Sequence, residues 1–134
     1  MTPYKAIATH LQKNSVTSQF SDGIAFFPVQ APDSYSIDNV YSVFTLLDDN
    51  PETVFGGGFP SGVMEIEFDF YSKDLGKIDN TINTFKTIFV GQSILLDSTI
   101  EMAYAETQSE TDAFDEQTKQ WIRSLDLIFK YIKK

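Results

Sequence analysis

The sequence predicts an α+β fold, with one antiparallel or mixed β-sheet packed against two α-helices in the order α-β-β-β-α-β-β, and with two long loops. Three observations lead there. Met64, Ile66, Phe68 and Phe70 alternate with Glu65, Glu67 and Asp69, the period-two pattern of a strand with one buried and one wet face. Leu75, Ile78, Ile82, Phe85, Ile88 and Phe89 then recur at helical spacing. Finally, 134 residues that are 42% hydrophobic and 14% aromatic can fill one core, so residues 1–134 read as a single domain.

The elements follow in order. Thr2 and Pro3 are a capping residue and a first-turn proline ahead of Tyr4, Ile7, Ala8 and Leu11, which predicts a first helix ending near Asn14. Residues 15–22 are polar and turn-rich. Residues 24–29 form a short apolar run of strand formers, with Pro28 marking an edge or an exit. After turn signals at Pro32 and Asp33, residues 41–47 resume strand composition. Residues 48–62 hold Pro51, three consecutive glycines at 56–58, Pro60 and Gly62, a composition that predicts a long, mobile loop. Apolar Val54, Phe55 and Phe59 inside it mark a candidate contact surface, with packing onto the core as the alternative.

The alternating segment gives the next strand, and the helix that follows spans 74–90, with Gly91 as its stop. Ile100, Met102 and Tyr104 alternate with smaller or acidic residues and predict another strand. Residues 106–118 are polar and acidic and predict a second long loop. In the last segment Trp121, Leu125, Leu127, Phe129 and Tyr131 share one parity. Leu125, Ile128, Phe129 and Ile132 also satisfy helical spacing, but the β-branched and aromatic composition favours a strand.

Composition also limits function. No cysteine is present, which excludes disulfides, thiolate metal sites and cysteine nucleophiles. Ten basic against nineteen acidic side chains leave a net charge of −9, which opposes binding to phosphate backbones and anionic lipid. No apolar run is long enough to span a membrane, and the first thirty residues lack a secretory pattern, so a soluble protein folded inside the cell is expected.

No catalytic, cofactor or metal site is expected. The single histidine, His10, lies beside the apolar stripe of the first helix with no nucleophile or orienting carboxylate in its motif, and reads as an ordinary helix-surface residue. The glycines at 56–58 lack the lysine and following helix of a phosphate loop. Acidic residues near Asp48 and Asp49 and in 106–116 do not match a calcium loop. Glu65, Glu67 and Asp69 could in principle do acid–base work, but their alternation is that of a solvated sheet face. The protein therefore reads as one that binds other proteins, not as an enzyme.

The order of elements, the apolar strand ending near Pro28 and Pro32, the strand of 64–71 feeding the helix of 74–90, and the acidic segment of 112–118 before an alternating strand together resemble the tail terminator and tail completion proteins of long-tailed, siphovirus-like phages. The resemblance covers most of the chain. It implies a virion protein, assembled in the bacterial host cytoplasm, that caps the tail tube and ends its polymerisation. It also implies a docking surface for the head connector or stopper protein. The partners it implies are the tail tube protein, the connector and further copies of the chain in a hexameric ring, with DNA only as passing cargo and no membrane. The isolated chain can remain monomeric.

Ring contacts are then expected from the two loops, with Asp49, Val54, Phe55, Gly56, Gly57, Gly58, Phe59, Glu110, Asp112, Phe114 and Asp115 as candidates. Glu65, Glu67 and Asp69 are candidates for an acidic lumen that lets DNA slide; the alternative is that their face meets water or a neighbouring subunit. Two other functions fit the composition: a head-completion or neck protein of the same assembly, and an acidic DNA mimic that inhibits a nucleic-acid enzyme.

Overall fold

A computed structural model describes residues 2–28, 40–52 and 61–133. Among the described residues there are nine elements: α1 (Pro3–Leu11), α2 (Asn14–Thr17), β1 (Ala25–Pro28), β2 (Tyr41–Glu52), β3 (Ser61–Ser72), α3 (Leu75–Phe89), β4 (Ile94–Leu95), β5 (Ile100–Asp115) and β6 (Gln120–Lys133). The six strands form one mixed sheet in the order β1-β2-β3-β6-β5-β4, so the α+β class holds. Among the described strands β1 and β2 run parallel and the other pairs are antiparallel. Pro28 stands in the edge strand, where a missing backbone donor costs no ladder bond.

Local chemistry sets the element ends. Thr2 Oγ1 accepts from the Lys5 backbone N–H at 3.2 Å and caps α1, with Pro3 in its first turn. Asp74 caps α3 by accepting from the Gly76 N–H at 2.9 Å, and Gly91, at φ +74°, leaves the helix in the left-handed region. The first helix stops at Leu11, the last residue of its apolar stripe and short of the predicted end near Asn14. A separate four-residue helix occupies part of the segment expected to be turn, because Val16 and Phe20 bury there as anchors.

Both predicted loops are corrected. The one expected at 48–62 is in part sheet: β2 continues to Glu52 past a bulge between Leu46 and Asp48, and β3 begins at Ser61. The predicted contact residues Val54, Phe55, Gly56, Gly57, Gly58 and Phe59 lie outside the described residues. The loop expected at 106–118 is mostly strand. β5 pairs with β6 as far as Asp115–Gln120, and only residues 116–119 turn. Antiparallel backbone pairing holds this arm although its side chains from Glu106 to Phe114 are exposed, so polarity alone does not mark a loop.

One face of the sheet carries the core. Phe44 of β2, Met64, Ile66, Phe68 and Phe70 of β3, and Leu125, Leu127 and Phe129 of β6 are fully buried under Ile7 and Leu11 of α1 and Ile78, Phe85 and Phe89 of α3. Phe68 stacks on Phe44 and Phe70 and meets Phe85 at a tilt, with Phe68 and Phe85 centroids 4.8 Å apart and Phe85 and Phe89 4.7 Å apart. Each such ring contributes roughly 2–3 kcal/mol by burial. The predicted helix and alternating strand thus form the centre of the fold, and the C-terminal segment is a strand, β6.

Candidate functional site

The helices bury their apolar stripes on one face of the sheet, which leaves Glu65, Glu67 and Asp69 on the opposite face, each half-buried. Strand register brings them beside residues far away in sequence. Glu67 is directly opposite Asp126, and Asp69 lies between Val43 and Ser124. Ser124 Oγ donates to Asp69 Oδ1 at 2.6 Å, and Ser109 Oγ donates to Asp126 Oδ2 at 3.1 Å. Among the described residues no cation forms an ion pair with Glu65, Glu67, Asp69 or Asp126. Burial, then the charges of Asp69 and Asp126, push the Glu67 carboxyl above the usual carboxylate range.

At one end of this open face Tyr41 and Tyr71 are cross-strand partners, stacked with centroids 4.9 Å apart and planes 7° from parallel. Phe27 meets Tyr41 edge-on at 6.4 Å. The Tyr41 hydroxyl donates to Gln120 Oε1 at 3.5 Å. Gln120 is 3% exposed, and its Nε2 has no hydrogen-bond partner. Burial, followed by the charges of Asp69, Tyr41, Glu67 and Asp115, pushes the Tyr71 hydroxyl up to about 12.

The β5–β6 hairpin carries the second group of predicted contact residues, and most of them are engaged within the chain. Glu110 pairs with Lys86 of α3 at 2.8 Å. Asp112 takes a two-pronged bond from Arg123, at 2.6 Å to Nε and 3.2 Å to Nη2. Arg123 Nη1 also donates to Asp79 of α3 at 2.7 Å, which ties the hairpin to the helix layer. Its hydrogen bonds hold Asp112 below the usual carboxylate range and push the guanidinium up. Phe114 packs on Trp121 at 4.9 Å and stays 40% exposed, while Asp115 accepts from the Gln117 N–H at 2.9 Å and closes the turn.

Two residues stand differently from their sequence reading. Asp49 belongs to β2, where its carboxylate accepts from the buried Tyr131 hydroxyl at 2.8 Å. His10 is half-buried, not an ordinary surface residue. Its ring meets Phe89 at 6.2 Å, its Nδ1 has no partner, and burial followed by the Lys13 charge lowers its basicity. It lines a shallow groove of about 450 Å³ with Val16, Gln19, Thr87, Ile88 and Ile94. Among the described residues no three metal-ligating side chains gather, and no helix is long and apolar enough to cross a membrane.

Tyr41, Tyr71, Gln120 and Arg123 are absent from the sequence-derived candidates. Each reads locally as an ordinary strand residue, and only the β2–β3 and β5–β6 registers give them neighbours.

No known protein family and no curated protein matches the sequence. Solved structures match the fold. One is a chain of the virion of a native gene transfer agent particle, with TM-score 0.59 and 7% identity, covering 98% of this chain and 91% of that one. A second solved chain has TM-score 0.56 and 8% identity, covering 100% of this chain and 97% of its own length. At these identities the likeness is one of fold, and it extends over essentially the whole chain.

Proposed function

We propose that this chain is a structural subunit of a phage-like virion, located at the tail end. There it caps the tail tube as a ring, ends tube polymerisation and presents a docking surface to the head connector. The observation that carries the reading is the fold shared over 98% of the chain with a component of a gene transfer agent virion. The order of β3 and α3 supports it, as does a partly exposed Phe114 near the turn of the β5–β6 hairpin. In this reading the partners are the tail tube protein, the connector or stopper protein and further copies of the chain in a hexameric ring, with DNA passing through the lumen.

The test is to purify tails from a mutant lacking the protein, measure their lengths by negative-stain microscopy, and then add the protein and head particles. Overlong or unjoinable tails that are capped and joined on addition support the reading. Tails of normal length that join heads without the protein overturn it. Tails of normal length that join only when the protein is first bound to heads move it to a neck station.

A second reading is favoured by the unpaired carboxylates of the open face: an acidic inhibitor that takes the place of DNA on a basic enzyme. It calls for salt-sensitive binding to a nucleic-acid enzyme by a single copy of the chain, which a capping ring does not need.

A further inference from the structure

We propose that the outer edge of β5, from Ser109 to Asp115, accepts an extended basic segment of a partner protein as an added strand. β6 pairs with β5 along one side, whereas on the other side, among the described residues, β4 covers Glu101 and Met102 alone. The Gly91 N–H donates to the Ala105 carbonyl at 2.9 Å, and beyond that point no described strand flanks the edge. That contact also shows which groups face out. In an antiparallel pair alternate residues turn both main-chain groups away from the partner strand, and Ala105, opposite Phe129, is one of them. β6 keeps an unbroken register with β3, so the β5 residues opposite Leu125, Arg123 and Trp121 share the orientation of Ala105. Glu110, Asp112 and Phe114 therefore each present an N–H and a carbonyl at the open edge.

The edge is already ordered for such a partner. Lys86 holds Glu110, Arg123 holds Asp112 and Trp121 supports Phe114, which fixes the three side chains at these positions. From Ser109 to Asp115 the register is continuous and holds no proline or glycine; the bulge falls before it, between Thr107 and Ser109. A preformed template lowers the cost of strand addition. Charge selects the occupant. Residues 100–115 carry five acidic and no basic side chains, and the whole hairpin, 100–133, carries seven acidic against four basic. A second copy joined edge to edge would set five carboxylates beside five more, on chains of net charge −9, which opposes self-pairing. A strand with lysine or arginine beside Glu110 and Asp112 and an apolar residue beside the 40% exposed Phe114 meets both the charge and the ring. A chain that fails to cap tails can still carry this edge, so the two readings fail separately.

The experiment titrates the full chain with the peptide acetyl-Val-Thr-Lys-Thr-Lys-Thr-amide, whose lysines fall beside Asp112 and Glu110 when it runs antiparallel to β5, and follows backbone amide resonances and hydrogen exchange by NMR. The expected result is shifts centred on Ser109 to Asp115, with exchange slowed at the outward amides of Glu110, Asp112 and Phe114. A counterpart with glutamate in place of both lysines should bind about tenfold more weakly. Methylating the main-chain nitrogens of the two lysines should abolish binding, because those N–H groups face β5, whereas methylating the nitrogens of the first two threonines, which face away, should leave it. Equal loss from both methylated peptides, equal affinity for the glutamate counterpart, or shifts centred away from β5 overturns the proposal. Every comparison uses the unaltered protein, so no result turns on whether a variant folds.

Discussion

At the residue scale, Glu67 is held against its own charge. Its folded-state pKa is raised by burial, by Asp69 and by Asp126 across the strand. A carboxyl raised on folding contributes stability at pH below its unfolded value, and that contribution is lost as pH rises through the folded value. Glu67→Gln should therefore raise the melting temperature at pH 7, by roughly half a kcal/mol of stability, with the gain vanishing near pH 3 where both side chains are neutral. Thermal melts at the two pH values check this, and an equal gain at both would assign the effect to something other than charge. Lys119 carries a different strain: it sits at φ 58°, a left-handed conformation in the hairpin turn. Replacing it with glycine should stabilise the protein by about 0.5 kcal/mol, the small surplus of relieved crowding over added chain entropy. Chemical denaturation measures it.

At the scale of elements, legibility followed the coincidence of pattern and burial. β3 and α3 were readable because each sets a complete apolar face against the core and leaves the other face wet, so composition reports geometry directly. The outer half of β5 was not, since its pairing to β6 is a main-chain matter and both of its faces are exposed. The extension of β2 past residue 47 was hidden for a related reason: a bulge resets its alternation, and Pro51 signals a break that the strand accommodates. Of the candidate site, the acidic face was legible in Glu65, Glu67 and Asp69, whereas Tyr41, Tyr71 and Gln120 gather only through register.

The hairpin also gives a test at its own scale. Arg123, with a side chain 13% exposed, joins Asp112 of β5 to Asp79 of α3. Arg123→Ala should cost roughly 1–2 kcal/mol and speed amide exchange in β5 beyond Glu106, with α3 little changed. Uniform acceleration across the chain would instead mean that the hairpin is not a separate opening unit. Asp112 is depressed by the same contact, so its contribution is present above the ordinary carboxylate range and is lost as pH falls through the lowered folded value. The variant should therefore lose less stability than the parent between neutral and strongly acid solution.

At the scale of the whole molecule, charge is the dominant unbalanced quantity. Nineteen carboxylates face ten basic side chains, and among the described residues Glu65, Glu67, Asp69 and Asp126 share one sheet face with no ion pair. Ion pairing among the described residues is concentrated on Arg123, Lys86 and Lys119, all on or beside the hairpin. Salt acts on both populations in opposite directions, weakening the few exposed pairs and screening the repulsion. Exposed pairs are worth little individually, whereas a net charge of −9 on one small fold repels itself at every separation within the screening length. Screening should win. Raising sodium chloride from about 10 mM, where the screening length is about 30 Å, to about 0.5 M should raise the melting temperature by several degrees. Glu67→Gln should show a smaller rise than the parent, because part of the repulsion has already been removed. A fall in melting temperature would mean that the hairpin's ion pairs outweigh the repulsion of the open face, and Arg123→Ala should then abolish that salt dependence.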